Sequence, residues 1–354
     1  MLDTVKLCVP VKDCKINSPQ MFMPTVTNSI KIGVKCVCNP DKYWMSMGRY
    51  LPKLTVLKGY DKEQYLYIEF SAPKLLFGNN FDELENNDFN RVLDELLDRL
   101  MFLDIEISRD NLEHAKVVSI HYSKNFDLEN AQVTCLIKII EKLDISKRLD
   151  IAKTNYKNGG QIVRFHTNSY EVAFYDKVSD LKQSIISEKR AFENDNLIQQ
   201  DLLSKLNGRE VLRMEVRLNK AKKIKSILEK CNINSDLTFN NLFNTDISKK
   251  ILNYFWHEFI EKSIYIVCQS NNDNSVILSK CALAGFNKQK TLKIVGIMAT
   301  INNNGCRYLK EQIKQAELNR FAKDIELLNL EDNYLLKQFR NVRTKLQRMT
   351  PLRI

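Results

Sequence analysis

Apolar and polar residues alternate with period two in several short runs of the first two thirds of the chain. Val5–Val9, Ile30–Val37, Leu54–Leu57 and Tyr65–Phe70 are rich in β-branched or aromatic residues and predict strands. The period then lengthens: Phe89, Val92, Leu93, Leu96, Leu97 and Leu100 fall at helical spacing, with Asp88 placed to start the helix. Val117–Tyr122 returns to strand, and Val133, Leu136, Ile137 and Ile140 mark a second amphipathic helix. Gln161–His166 and Tyr170–Tyr175 flank Thr167-Asn168-Ser169, which is hairpin chemistry. A helical stretch from Leu181 to Leu206, a strand at Val211–Leu218 and a Lys-rich helix at 219–230 follow. Strands and helices in this order predict an α+β fold, a largely antiparallel sheet with helices on one face.

Beyond residue 234 the strand signals fade. A polar stretch at 269–275 interrupts a mainly helical remainder, so residues 235–354 are expected to form a smaller all-α C-terminal domain. Leu292 to Ile301, Tyr308 to Ile313 and Leu318 to Leu330 are three helical stretches parted by Asn302-Asn303-Asn304-Gly305 and a short polar turn, compatible with a helix-turn-helix. The last helix, Leu336–Met349, carries Lys337, Arg340, Arg343, Lys345 and Arg348. They read either as a solvated face or as phosphate contacts.

Side chains alternate across a strand, so each strand divides into a core set and an opposite set. In Leu212–Leu218 the apolar residues point one way, leaving Arg213, Glu215 and Arg217 together. In the hairpin, Val172 and Phe174 oppose Glu171, Tyr175 and Lys177. Leu66, Ile68 and Phe70 oppose Tyr65, Tyr67, Glu69 and Ser71, and Val118 and Ile120 oppose Ser119, His121 and Ser123. If these strands adjoin, one sheet face gathers tyrosine, histidine, carboxylates and cations. A tyrosine oxygen can attack a phosphodiester and retain the 5′ phosphate as an ester, given a divalent metal, a proton acceptor and cationic charge for the pentavalent state. The plainer alternative is a solvent face of cross-strand ion pairs.

Composition narrows the choice of partner. Lys and Arg number 54 against 43 Asp and Glu, a formal net charge of +11 over 354 residues, which favours a polyanion. No run approaches the ~18 apolar residues of a membrane helix, and residues 1–20 carry Lys, Asp and Pro where a signal peptide is apolar, so a cytoplasmic location without a membrane partner is expected. The nine cysteines show no zinc spacing and read as reduced structural thiols, with Cys36 and Cys38 in a core or edge role. His114 and His257 read as structural, while His166, beside the tyrosine strand, is a candidate substrate contact. Gly78-Asn79-Asn80 reads as a turn, and no phosphate-loop glycine pattern occurs.

Four segments, in order, resemble the replication initiators of filamentous phages and related plasmids, the gene II and gene X proteins. They are Tyr67–Asn80 with its Glu-x-Ser-x-Pro-Lys run, Val118–Phe126, Val172–Lys177 and Leu212–Leu218. The resemblance covers about residues 1–230. It implies a metal-dependent DNA nicking and joining endonuclease that starts rolling-circle replication through a 5′-phosphotyrosine at a phage or plasmid origin. Tyr175, Lys177 and Arg213 take the catalytic positions, Glu215, Glu69 and His121 the metal positions, with Mg²⁺ or Mn²⁺ as cofactor. His121 stands where many relatives have an acidic residue. Arg217, Arg340, Arg343, Lys345 and Arg348 are the expected DNA contacts. Residues 1–234 would nick and join, and 235–354 would bind DNA. The implied partners are double- and single-stranded origin DNA and the host polymerase and helicase. The rival reading is a non-catalytic origin-binding or regulatory protein. A basic RNA-binding protein ranks below both, since the aromatic signatures of the usual RNA modules are missing.

Overall fold

A computed structural model of the chain describes residues 1–25, 35–39, 50–58, 63–129, 131–143, 149–156, 159–186, 197–262, 273–330 and 334–354. Among the described residues twelve strands are β1 (Leu2–Pro10), β2 (Cys14–Ile16), β3 (Met23–Thr25), β4 (Lys35–Cys38), β5 (Lys53–Lys58), β6 (Gln64–Ser71), β7 (Ile105–Ile107), β8 (Lys116–Asp127), β9 (Asp150–Asn155), β10 (Gln161–His166), β11 (Tyr170–Asp176) and β12 (Val211–Leu218). Ten of them pair antiparallel in the order β3-β4-β5-β6-β1-β8-β12-β11-β10-β9, and β2 pairs with β7. The α+β reading therefore holds. Residues 30–34 of the strand expected at Ile30–Val37 lie outside the described residues, as do 187–196 of the stretch from Leu181 to Leu206 and 269–272 of the polar stretch.

The helices are α1 (Ala72–Phe77), α2 (Phe89–Phe102), α3 (Arg109–Glu113), α4 (Val133–Glu141), α5 (Lys177–Ile186), α6 (Leu197–Lys205), α7 (Ala221–Lys230), α8 (Phe239–Leu242), α9 (Thr245–Trp256), α10 (Asn274–Leu283), α11 (Lys288–Gln312), α12 (Gln315–Leu327) and α13 (Tyr334–Arg348). The predicted break in α11 falls at Gly305 alone, whose φ of 84° favours a residue without Cβ; Asn302, Asn303 and Asn304 stay helical. Helix α2 begins directly after Asp88, as the sequence predicts. A capping box begins one turn earlier at Glu85, whose backbone N–H donates to the Asp88 carboxylate at 2.8 Å.

One apolar core joins the inward side of the sheet to helices from both halves of the chain. Trp256 of α9 is its hub, with ring centroids 6.5 Å from Phe126 of β8, 6.5 Å from Phe174 of β11 and 6.1 Å from Phe339 of α13. Burying such a ring contributes on the order of 3–5 kcal/mol against alanine. Helices beyond residue 235 thus complete the core begun by the strands. A second cluster lies against the opposite face at one end: Val211, on the Arg213 side of β12, meets Phe81, Val178, Leu181, Leu202 and Leu206. So α5 and α6 pack beside the polar face rather than on the core side.

One correction to the face assignment follows from strand register. Lys6 pairs with Ser119 but Leu7 with Val117, so Val118 bulges and Val117 takes the core position that alternation assigned to Val118. Among the cysteines, Cys38 is buried and Cys36 half-buried, and the described cysteines are free thiols.

Candidate active site

Antiparallel pairing sets directly opposed residues on one face, and three rows of β11, β12 and β8 build the site. Tyr175, Arg213 and Asn125 form one row, Ala173, Glu215 and Ser123 the next, and Glu171, Arg217 and His121 the third. The strands carrying the candidate residues are therefore neighbours in a single sheet. β1 lies on the far side of β8 and adds Asp3, at the bulge between Leu2 and Thr4.

Glu215 is the centre of this face. It is 3% exposed and accepts hydrogen bonds from the Tyr175 hydroxyl at 2.9 Å and from Arg217 Nε and Nη2 at 2.8 and 3.2 Å, with His121 Nδ1 at 3.6 Å. Burial pushes its carboxyl up, but the Arg217 charge and the hydrogen bonds from His121 and Arg217 outweigh that and hold it well below the usual carboxylate range. Tyr175 is 6% exposed; burial raises its phenol well above the usual value, and the nearby Arg213 charge offsets only part of this. At rest the proton belongs to the tyrosine.

Two further cations are enclosed. Arg213 is 2% exposed, with Nη2 3.0 Å from Asp3, and Nη1 donating to the Asn80 carbonyl at 2.8 Å and to Asn125 Oδ1 at 3.3 Å. Lys177, the first residue of α5, is fully buried; its amine donates to Asn80 Oδ1 at 3.0 Å, lies 3.4 Å from Asp180 and sits 5.9 Å from the Tyr175 ring centroid. Burial lowers it to about 8, against the pull of Asp180.

The Gly78-Asn79-Asn80 turn delivers Asn80. Helix α1 ends on Gly78 in the left-handed region at φ 72°, and Asn79 Oδ1 then accepts from the backbone N–H groups of Phe81 and Asp82, both at 2.9 Å. That Asx-type fold turns the chain so that Asn80 meets both buried cations.

The family of the N-terminal region of the gene II replication-associated protein matches residues 1–241. The chain belongs to this family. It is a rolling-circle replication initiator of the filamentous-phage gene II kind, and origin DNA is its implied partner. No curated protein and no solved structure matches it. No helix among the described residues is long and apolar enough to cross a membrane.

Within this gene II-type chain the expected site residues separate into three groups. Tyr175, Lys177, Arg213, Glu215, Arg217 and His121 come together. Glu69 does not: it pairs with Lys6 on β1, at 3.1 Å, three strands from β12 and four residues along, roughly 20 Å from Glu215 on strand geometry. Among the described residues no three His, Cys, Asp or Glu side chains form a metal-holding group. His166 pairs with Glu171 at the margin of the face. The third group, Arg340, Arg343, Lys345 and Arg348, belongs to α13, whose Phe339, Val342 and Leu346 enter the core on the other side of the sheet. Arg343 lies 2.9 Å from Glu261 and Lys345 donates to the Asp127 carbonyl at 2.7 Å.

Sequence reasoning missed Asp3, Asn80 and Asn125 as site residues. Asn125 was within reach of the same alternation, two residues beyond Ser123. Asp3 depends on the β1 bulge, and Asn80 on a long-range contact to β12, neither of which is written in a local pattern.

Proposed function

We propose that this initiator nicks and rejoins single-stranded origin DNA through a tyrosine on the polar face of the sheet, with Tyr175 as nucleophile and Glu215 as its proton acceptor. The observation that carries the reading is the 2.9 Å hydrogen bond from the Tyr175 hydroxyl to Glu215, the nucleophile and base pairing that a transesterase needs. The phenolic oxygen attacks phosphorus, the bond from phosphorus to the 3′ oxygen breaks, and the 5′ phosphate stays on the tyrosine. The phenolic proton passes to Glu215, and the departing 3′ oxygen takes a proton from water to leave as a hydroxyl. Reversal rejoins the strand without ATP, because the ester keeps the phosphodiester energy.

Burial sets a condition on this step. A phenol raised above its usual value does not give its proton to a carboxylate held low, so Glu215 must first lose part of its Arg217 contact. Arg217, with 30% of its side chain exposed and also 3.0 Å from Glu171, is the cation a DNA phosphate would draw outward. The same movement frees Glu215 oxygens. A Mg²⁺ ion commonly takes one or two protein donors and completes its shell with phosphates and water, so Glu215 and His121 are the residues that would hold Mg²⁺ or Mn²⁺ here. Bound there, the ion would add positive charge beside the phosphoryl oxygens. Glu69 has no part in that set.

A second reading rests on Tyr156. This half-buried residue follows β9, and its ring packs against the cluster of Ile162, Ala173 and Tyr175. It is nearer the surface than Tyr175, so DNA meets it without opening the site. Under this reading Tyr175 and Glu215 form the floor on which the Tyr156 oxygen and the phosphate are arranged. Mapping the covalent adduct separates the two tyrosines. A chain that binds origin DNA with no adduct in Mg²⁺ or Mn²⁺ would instead be a non-catalytic binder.

A further inference from the structure

Residues 350–354 follow the basic helix α13 and run back to the loop that serves the active site. The Thr350 carbonyl accepts from Lys124 Nζ at 2.9 Å. Leu352 and Glu83 bond reciprocally: the Glu83 N–H donates to the Leu352 carbonyl at 3.2 Å, and the Leu352 N–H to Glu83 Oε2 at 2.9 Å. Arg353 Nε donates to the Glu83 carbonyl at 2.9 Å and its Nη2 to Asp88 at 2.5 Å, while the Ile354 N–H donates to Asp82 at 2.9 Å. Leu352 and Ile354 pack against the cluster of Phe81, Val178 and Leu181.

Glu83 is 3% exposed and forms a buried ion pair with Lys124, so its charge has little water to fall back on. Its other carboxylate oxygen accepts from the Asn125 N–H at 2.6 Å, and Asn125 Nδ2 donates to the Phe81 carbonyl at 2.7 Å. Every backbone and side-chain polar group of Glu83 is thus engaged, two of the partners being residues 352 and 353. Three residues upstream, Asn80 holds Lys177 and Arg213.

We propose that residues 350–354 are a positioning strap for the active site: by fixing Asp82 and Glu83 they hold Asn80 against the Lys177 amine and the Arg213 guanidinium. The strap joins the far end of α13, on the core side of the sheet, to the Tyr175 face. Its functional meaning rests on the nicking reading, but its physical effect is measurable without it.

The test uses the full chain with ¹³C-labelled lysine, the Lys177 signal being assigned by Lys177→Arg. The Lys177 amine faces Asp180 on its own helix, Arg213 on β12, Asp3 on β1, Lys74 on α1 and the Tyr175 ring. None of these is altered by deleting residues 350–354. The deletion is expected to lower the Lys177 titration midpoint by about half a pH unit or more, because the ammonium loses the Asn80 acceptor. Asn80→Ala should lower it equally with the strap intact, and Asn80→Asp, which keeps an acceptor oxygen, should raise it. Nicking kcat should fall about tenfold or more in the deleted chain, with KM within about threefold, as expected of lost positioning. Should the deleted chain fail to melt cooperatively, Arg353→Ala is read in the same way. A folded strap variant whose Lys177 midpoint does not move overturns the proposal. If the unaltered chain never nicks, the nicking reading fails while the Lys177 midpoint still decides the strap.

Discussion

At the scale of single residues the candidate site is an inventory of buried charge. Lys177 illustrates the cost. Its amine falls from 10.5 to about 8 on burial, so between those values the unfolded chain holds a proton that the folded chain has released, and stability rises with pH across that window. Below about pH 8 the penalty is fully present. Lys177→Met should therefore be more stable at pH 7 by up to about 3 kcal/mol, at roughly 1.4 kcal/mol per unit. The gain should shrink to nothing by pH 10.5; urea melts at pH 7, 9 and 10.5 measure it, and a constant difference across the series would contradict the burial argument. The same substitution should abolish nicking, since stability and function oppose each other where a charge is enclosed for a purpose. Glu215→Gln should cut nicking about a hundredfold or more and weaken Mn²⁺ uptake, checked independently by titrating the electron-spin signal of free Mn²⁺. Undiminished uptake would confine Glu215 to the proton-acceptor role.

At the scale of elements, the arrangement depends on how close the β9–β10 turn comes to α5. A Cβ built on Gly160 would lie 2.2 Å from Ser179 Cβ and 2.9 Å from the Tyr156 ring, so Gly160→Ala must push apart the turn, the helix that begins with Lys177 and the half-buried tyrosine. A loss of roughly 1–3 kcal/mol is expected, together with reduced nicking, and an unchanged melt would show the turn to be slack. This contact joins segments more than 15 residues apart and leaves no trace in local sequence. The strands themselves were legible because their alternation is clean: Val211–Leu218 and Gln161–His166 were read to the residue. β9 was missed because Asp150–Asn155 is polar and largely exposed at the sheet edge, where no buried face imposes alternation. The gathering of Tyr175, Glu215, Arg217 and His121 followed from face arithmetic once the strands were neighbours. Glu69 shares the face but not the neighbourhood, since β1 and β8 intervene, and alternation alone cannot show that distance.

At the scale of the whole molecule, the helices after residue 235 close the core and the basic helix α13 lies across the sheet from Tyr175. A fragment ending at 234 would bare Phe126, Phe165 and Phe174, which now meet Trp256 and Phe259, and is expected to lose its cooperative melt. A sharp melt for that fragment would establish the catalytic half as an independent unit. Replacing Arg340, Arg343 and Arg348 with alanine should weaken duplex binding for all sequences and flatten its salt dependence by about one unit of slope per lost phosphate contact. Adduct formation on short single strands should be spared, because these side chains are remote from Glu215. The most direct test of the central claim is to incubate the full chain with single-stranded origin DNA and Mg²⁺ or Mn²⁺, digest it, and locate the nucleotide-bearing peptide by mass spectrometry. A phosphotyrosyl bond on Tyr175 is expected, lost in Tyr175→Phe while DNA affinity is retained, together with a free 3′ hydroxyl on the released strand. An adduct on Tyr156 would transfer the nucleophile's role within the same site, whereas an adduct on a tyrosine outside this sheet face, or cleavage with no covalent protein, would contradict tyrosine chemistry at Glu215.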